Sequence, residues 1–165
     1  MNELARLPDL SIDQDYDGDS FTPIYTTTVT VSGGVSSHGR ATGRARSADG
    51  GLDLDLRLPG ELGGDGQGTN PEQLFAAGFA ACYHGALSLV ARQAALDPSV
   101  ISVRTTVAFG RDPDDGGYLL RVNLVVDWPH VDPAVAAPLM DRAGSLCPYV
   151  KMAGQGTPTN ITLHH

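Results

Sequence analysis

The sequence is poor in cysteine, in aromatic side chains and in positive charge. It has two cysteines, no C-x-x-C pair and only 6% aromatic residues. Without C-x-x-C it offers neither a thioredoxin-type redox motif nor a four-cysteine zinc site. Eleven lysines and arginines stand against nineteen aspartates and glutamates, which gives a net charge of −8. This balance argues against a nucleic-acid partner and against an anionic membrane surface.

Signals for export and for phosphate binding are also missing. Residues 1–20 are acidic and lack the basic and apolar regions of a secretory signal. We find no charge-free apolar run flanked as a membrane span requires. The glycine-rich loop 60–68 lacks the Gly-Lys-Ser/Thr ending of a phosphate loop. We therefore expect a cytoplasmic protein with no membrane partner.

The order of hydrophobic patterns predicts one α+β domain at 23–165, preceded by an acidic extension at 1–22. The predicted element order is βββ-α-ββ-α-β, with antiparallel sheets packed around a buried central helix. The predicted strands are 25–32, 40–48, 52–58, 99–109, 117–128 and 160–163, and a glycine-rich loop is predicted at 151–160. A second helix is predicted from Pro133 towards Cys147, either kinked or restarted at Pro138.

The central helix, predicted over 69–92, is the most informative stretch. Asn70 can cap its free amides, Pro71 suits the first helical position, and Glu72 lies in the first turn. The residues that follow are apolar on nearly every face, which is typical of a core helix. Cys82 lies in the middle of this helix. It is either an inert thiol packed in the core or a nucleophile.

A nucleophilic cysteine must ionise, and the helix dipole is close to neutral at the position of Cys82. An arginine held by a carboxylate would supply the missing positive charge, and Glu72 is a candidate carboxylate. Ten residues separate Glu72 from Cys82, a rise of roughly 15 Å along a straight helix. Either the helix bends near Gly78 or Glu72 serves a second subunit, so we predict a homodimer with sites at its interface.

Two other roles for Cys82, as a zinc ligand or as a hydrolase nucleophile, have less support in the sequence. A zinc set of Cys82, His84, His130 and Cys147 would chelate poorly, since positions 82 and 84 point to different sides of a helix. A Cys–His hydrolase would need His130 or His38 beside Cys82. The second thiol, Cys147, lies near the end of its predicted helix, where the negative dipole opposes ionisation.

The motif GTNPEQLFAAGFAACYHGAL, the later LCPY and the earlier YTTTVTV and SADGGLDLDLRLP resemble the organic hydroperoxide resistance (Ohr) branch of the OsmC/Ohr family. The resemblance spans 24–163. It implies an intertwined α+β homodimer that acts as a thiol peroxidase with no metal, haem or other cofactor. It also implies organic and fatty-acid hydroperoxides as substrates, with dihydrolipoamide or a lipoylated protein as the reductant.

The resemblance also assigns roles to single residues. Cys82 is the expected peroxidatic cysteine, which forms a sulfenic acid, and Cys147 the resolving cysteine, which closes a disulfide. Glu72, in the matching Pro-Glu-Gln, orients the arginine that activates Cys82. The family's arginine usually follows two glycines, but here Gly33-Gly34 precede Val-Ser-Ser-His-Gly. Arg40 is therefore the first choice, with Arg44 as the alternative.

Two other functions remain open within the same fold. One is a peroxidase of the OsmC branch, which would use a broader range of peroxides. The other is a peroxide sensor or binding protein that oxidises once and does not turn over with any dithiol.

Overall fold

A computed structural model describes residues 16–34 and 42–164 of the 165-residue chain. Its strands are β1 (Val29–Ser32), β2 (Gly43–Ser47), β3 (Asp53–Leu56), β4 (Ser102–Arg111) and β5 (Tyr118–Asp127). Its helices are α1 (Pro71–Gln93), α2 (Pro133–Leu146) and α3 (Pro148–Gln155), with short 3₁₀ turns at Gly60–Leu62 and Pro98–Val100. The α+β class and the antiparallel sheets are confirmed.

The first sheet has the order β1-β2-β3, with both pairs antiparallel. The Asp49-Gly50-Gly51 turn joins β2 to β3, and Gly50 adopts a left-handed φ of 76° that suits glycine. Only Ala45 and Leu56 of this sheet are buried. A parallel bridge between Leu56 and Thr69 connects the sheet to the residues that precede α1.

The second sheet pairs β4 with β5 in antiparallel register over ten residues, from Ser102 opposite Asp127 to Arg111 opposite Tyr118. The hairpin packs on α1 through β4, and α2 and α3 also pack on α1. The buried core lies between these layers. It contains Tyr83, Leu87, Val90, Ala91, Ile101, Ala143 and Cys147.

Helix α1 begins as the sequence predicts. The Asn70 side chain accepts a hydrogen bond from the Gln73 amide at 2.9 Å, Pro71 is the first helical residue, and Glu72 lies in the first turn. By length and composition alone α1 is apolar enough to cross a membrane, contrary to our expectation from the sequence. A core helix passes the same test, and here α1 packs against the β4–β5 hairpin and α2.

Two predictions for the C-terminal third were wrong in detail. Residues 160–163 form no strand and are exposed, because no neighbouring strand pairs with them in the described part of the chain. The first half of the loop predicted at 151–160 instead belongs to helix α3, which ends before Gly156 at a φ of 76°. Helix α2 runs continuously through Pro138 and does not restart there.

Candidate active site

The two cysteines meet although they are distant in sequence. Cys82 lies in the middle of α1, and Cys147 lies at the junction between α2 and α3. Their Sγ atoms are 3.3 Å apart, and both are free thiols. A disulfide bond is about 2.05 Å long, so the two sulfurs need to approach by only about 1.3 Å to bond.

Cys147 is fully buried, with 0% of its surface exposed. It packs in the core with Tyr83, Leu87 and Ala143. It ends α2 and is also the N-cap residue of α3. The predicted position at the negative end of a helix is confirmed for α2, but the positive end of α3, which the sequence did not predict, begins at the same residue.

Cys82 is only partly buried and opens onto a small apolar pocket of about 310 Å³. Besides Cys82, the pocket is lined by Ala81, Gly85, Ala86, Leu89, Leu146 and Pro148. The first four belong to α1, and the last two flank Cys147. The pocket thus places apolar surface directly beside one sulfur of the pair.

Burial is the main influence on the pKa of Cys82 and raises it above the ordinary value. The neighbouring Cys147 also raises this pKa, whereas the backbone amide of Tyr149 lowers it by hydrogen bonding to the sulfur. Within residues 16–34 and 42–164, no cationic side chain contributes to the shift. The described surroundings alone therefore do not activate the thiol.

The structure describes only one of the two arginines that are candidates for activating Cys82. Arg40 lies outside the described residues, so its role stays a prediction. Arg44 is half-exposed on β2, where Nε lies 2.6 Å from Asp53 Oδ1 and Nη1 lies 3.4 Å from Asp55 Oδ1. Asp53 also pairs with Arg46 at 3.0 Å. Arg44 is thus held by carboxylates of the neighbouring strand β3.

Glu72 is half-buried in the first turn of α1, on the same continuous helix as Cys82. Ten residues of α-helix leave it roughly 15 Å from Cys82 along the axis. Gly78 lies between them and allows α3 to come close. A Cβ built on Gly78 would lie 3.0 Å from the Tyr149 hydroxyl. The structure therefore brings Cys82 and Cys147 together but leaves Glu72 one helix segment away.

Helix α3 is the part of the site that sequence reasoning missed. The Tyr149 ring packs against Phe79 with centroids 5.6 Å apart and against Phe75 at 6.3 Å. These contacts hold the first turn of α3, and hence the Tyr149 amide, over Cys82. The signal was present in the sequence, because Pro148 suits a first helical position and Gly156 suits a helix end.

The zinc and hydrolase alternatives gain no support from the geometry. The described ranges contain no group of three or more His, Cys, Asp or Glu residues that could hold a metal ion. His84 Nε2 donates to the carbonyl of Ile101 at 3.1 Å, which ties its ring to the segment before β4. His38 lies outside the described residues.

Comparison with known proteins identifies the family. The model of the family described as OsmC-like protein matches residues 64–162. The chain belongs to this family. The organic hydroperoxide resistance protein of Xanthomonas axonopodis pv. citri (strain 306) is 42% identical to it over 85% of this chain and 94% of that one.

Solved structures agree with the family assignment. An organic hydroperoxide resistance protein from Legionella pneumophila superposes with a TM-score of 0.71 at 37% identity, covering 82% of this chain and 93% of that one. The organic hydroperoxide resistance protein OhrB of Bacillus subtilis gives 0.68 at 40% identity, covering 81% and 93%. The OsmC/Ohr-like fold predicted from the sequence is confirmed.

Proposed function

We propose that this protein is a cysteine-based peroxidase that reduces organic hydroperoxides, including those of fatty acids, to alcohols. The family relationship supports a role in organic hydroperoxide resistance. The observation that carries the finer proposal is the sulfur pair, 3.3 Å apart, with one member opening onto an apolar pocket. The pocket suits an alkyl peroxide better than hydrogen peroxide, because it offers apolar surface to an organic chain.

The proposed reaction needs only the two thiols and a dithiol reductant. The Cys82 thiolate attacks the terminal oxygen of the hydroperoxide, which carries the hydrogen, the O–O bond breaks, and the alkoxide leaves as the alcohol after taking a proton. Cys82 is then a sulfenic acid. The Cys147 sulfur attacks it, the S–O bond breaks, and water leaves as the disulfide forms. Dihydrolipoamide or a lipoylated protein then returns both cysteines to thiols. We propose that this cycle runs in the cytoplasm without a metal or other cofactor.

Activation of Cys82 requires a positive charge that the described residues do not supply. We assign this role to Arg40, with Glu72 of a second subunit as the carboxylate that orients it. Arg44 is the weaker alternative, because Asp53 and Asp55 hold its guanidinium on the sheet and it makes no contribution to the pKa of Cys82. Arg40→Ala is expected to slow the reaction with cumene hydroperoxide at pH 7 on the order of a hundredfold. Arg44→Ala, the matched control, is expected to stay within about threefold; the reverse result would transfer the role to Arg44.

A homodimer is part of the proposal. Apolar side chains are exposed near both ends of the described chain. On β1, Val29 and Val31 have exposed fractions of 46% and 51%, and near the C-terminus Ile161 and Leu163 have exposed fractions of 91% and 78%. Exposed apolar surface of this extent favours a second copy as partner. Sedimentation should give twice the chain mass, and a fully active monomer would contradict a shared site.

The test of the activity is turnover of cumene or tert-butyl hydroperoxide with dihydrolipoamide. We expect turnover in the wild type and none in Cys82→Ser. Cys147→Ser should reduce one equivalent of peroxide per site and then stop. Full turnover in Cys82→Ser would refute the assignment, and similar rates with hydrogen peroxide would place the protein in the broader-range OsmC branch.

The raised pKa of Cys82 is the one observation that favours a sensor or binding protein, because an unactivated thiol reacts slowly. A sensor would oxidise once and remain oxidised in excess dihydrolipoamide. Repeated cycles with the same dithiol would exclude it.

A further inference from the structure

The two sulfurs of the pair differ sharply in access. Cys82 lines the 310 Å³ pocket, whereas Cys147 has no exposed surface and does not line that pocket. Buried side chains of α1 and α2, among them Leu87, Val90 and Ala143, surround the Cys147 side of the pair. A small molecule can therefore touch one sulfur without any rearrangement of the core, and only that one.

Disulfide formation preserves this asymmetry. The sulfurs must approach each other by about 1.3 Å to bond, which draws the pair together and opens no path to Cys147. A reductant reaches a disulfide by thiolate attack on one of its two sulfurs, and the rate depends on access to that sulfur. The accessible sulfur in the oxidised protein is thus the one on Cys82.

The position of Cys147 also suits it as the leaving group. A thiol departs faster when its thiolate is stabilised. Cys147 is the N-cap residue of the eight-residue helix α3, so the positive end of that helix adjoins its sulfur. Burial works against the charge, but the departing thiolate can take up the proton that the reductant's second thiol loses when it attacks in the next step.

We infer that the reductant enters through the apolar pocket that admits the peroxide and attacks Sγ of Cys82, so that Cys147 leaves. This inference rests on the proposed peroxidase cycle. The dithiol's first thiolate forms a mixed disulfide with Cys82 as the Cys82–Cys147 bond breaks and Cys147 leaves as a thiolate. The second thiol attacks the reductant's own sulfur, Cys82 leaves as a thiolate, and the dithiol departs as its cyclic disulfide. Two electrons pass to the protein.

A second cleft provides the competing route. It lies between α2 and α3 and is larger and more polar, with Asp141, Ser145 and Lys151 on its walls. Tyr83, which belongs to the same core cluster as Cys147, also lines this cleft. A reductant using this cleft would attack Cys147 and form its first mixed disulfide with that residue.

The direct test maps the first bond that the reductant makes. The wild type is oxidised with one equivalent of cumene hydroperoxide, and the disulfide is verified by mass. It is then exposed briefly to 2-mercaptoethanol, quenched in acid, alkylated with N-ethylmaleimide and digested. We expect mercaptoethanol on Cys82 and N-ethylmaleimide on Cys147. The reverse pattern, or equal labelling, overturns the inference. Failure to form the disulfide at all would instead refute the proposed function.

Two glycines give a matched pair of variants for the shared entrance. Gly85 lines the apolar pocket and Gly154 lines the α2–α3 cleft; both are helical, and a Cβ at either meets open space. Gly85→Leu is expected to slow oxidation by cumene hydroperoxide and reduction by dihydrolipoamide tenfold or more each. Gly154→Leu should leave both within twofold. Unchanged reduction in Gly85→Leu, or slowed reduction alone in Gly154→Leu, would overturn the inference; thermal unfolding confirms that both variants fold.

Discussion

Oxidation of the sulfur pair should stabilise the protein by an amount that follows from its position in the chain. The bond would link residues 65 positions apart. Closing a loop of that length removes about 14 cal/mol/K of entropy from the unfolded chain, which is worth about 4 kcal/mol at 25 °C. For a chain of 165 residues, each kcal/mol raises the unfolding temperature by about 2–4 °C. The oxidised protein should therefore unfold about 8–16 °C above the reduced protein.

The assay is thermal unfolding by circular dichroism, at one protein concentration, before and after one equivalent of cumene hydroperoxide. Cys147→Ser is the control, because it can be oxidised but cannot close the loop, and its unfolding temperature should not rise. An unchanged or lower unfolding temperature in the oxidised wild type would contradict the reasoning. It would mean that joining the sulfurs strains the native packing by as much as the cross-link restricts the unfolded chain.

Three further predictions concern the framework around the site. Asn70→Ala removes the cap of α1 and should lower the free energy of unfolding by about 1 kcal/mol, whereas Asn70→Asp should keep most of it; equal losses in both would exclude capping as the cause. Tyr83→Phe removes the hydrogen bond that Tyr83 donates to the half-buried Met140 carbonyl at 3.0 Å and should cost about 1 kcal/mol in urea unfolding. Arg44 and Arg46 donate hydrogen bonds to the Asp53 carboxylate and hold its pKa at about 2. This carboxyl therefore favours the folded state above about pH 4, and the contribution disappears as the pH falls towards 2. Arg44→Ala should move the Asp53 pKa up towards its ordinary value in a carboxyl NMR titration, and an unmoved pKa would contradict the pairing.

Local signals in the sequence predicted the start of α1 correctly. Asn70 and Pro71 act on the amides next to them, so their effect does not depend on the rest of the fold. The β2–β3 hairpin was predictable for the same reason, because the turn at Gly50 needs a left-handed backbone. The resemblance to the family then paired Cys82 with Cys147, which no local pattern could have done.

The errors came from contacts that are distant in sequence. The stretch 160–163 has strand-forming residues, but a strand requires a partner, and none pairs with it in the described part of the chain. The second half of helix α3 was predicted as part of a loop at 151–160 because that stretch contains Gly154 and Gly156. Packing of Tyr149 on Phe75 and Phe79 stabilises the helix, and that packing depends on the tertiary fold. The same contact explains Gly78, which the sequence suggested as a bend.

The central claim is that Cys82 takes oxygen from the peroxide and Cys147 resolves it, and intact-protein mass spectrometry tests it most directly. After one equivalent of cumene hydroperoxide, the wild type should lose two hydrogen atoms and yield one peptide pair cross-linked through Cys82 and Cys147. Cys147→Ser should instead gain one oxygen atom on Cys82, and Cys82→Ser should remain unchanged. Oxygen on Cys147 in the Cys82→Ser protein, formed as fast as the wild-type cross-link, would contradict the account.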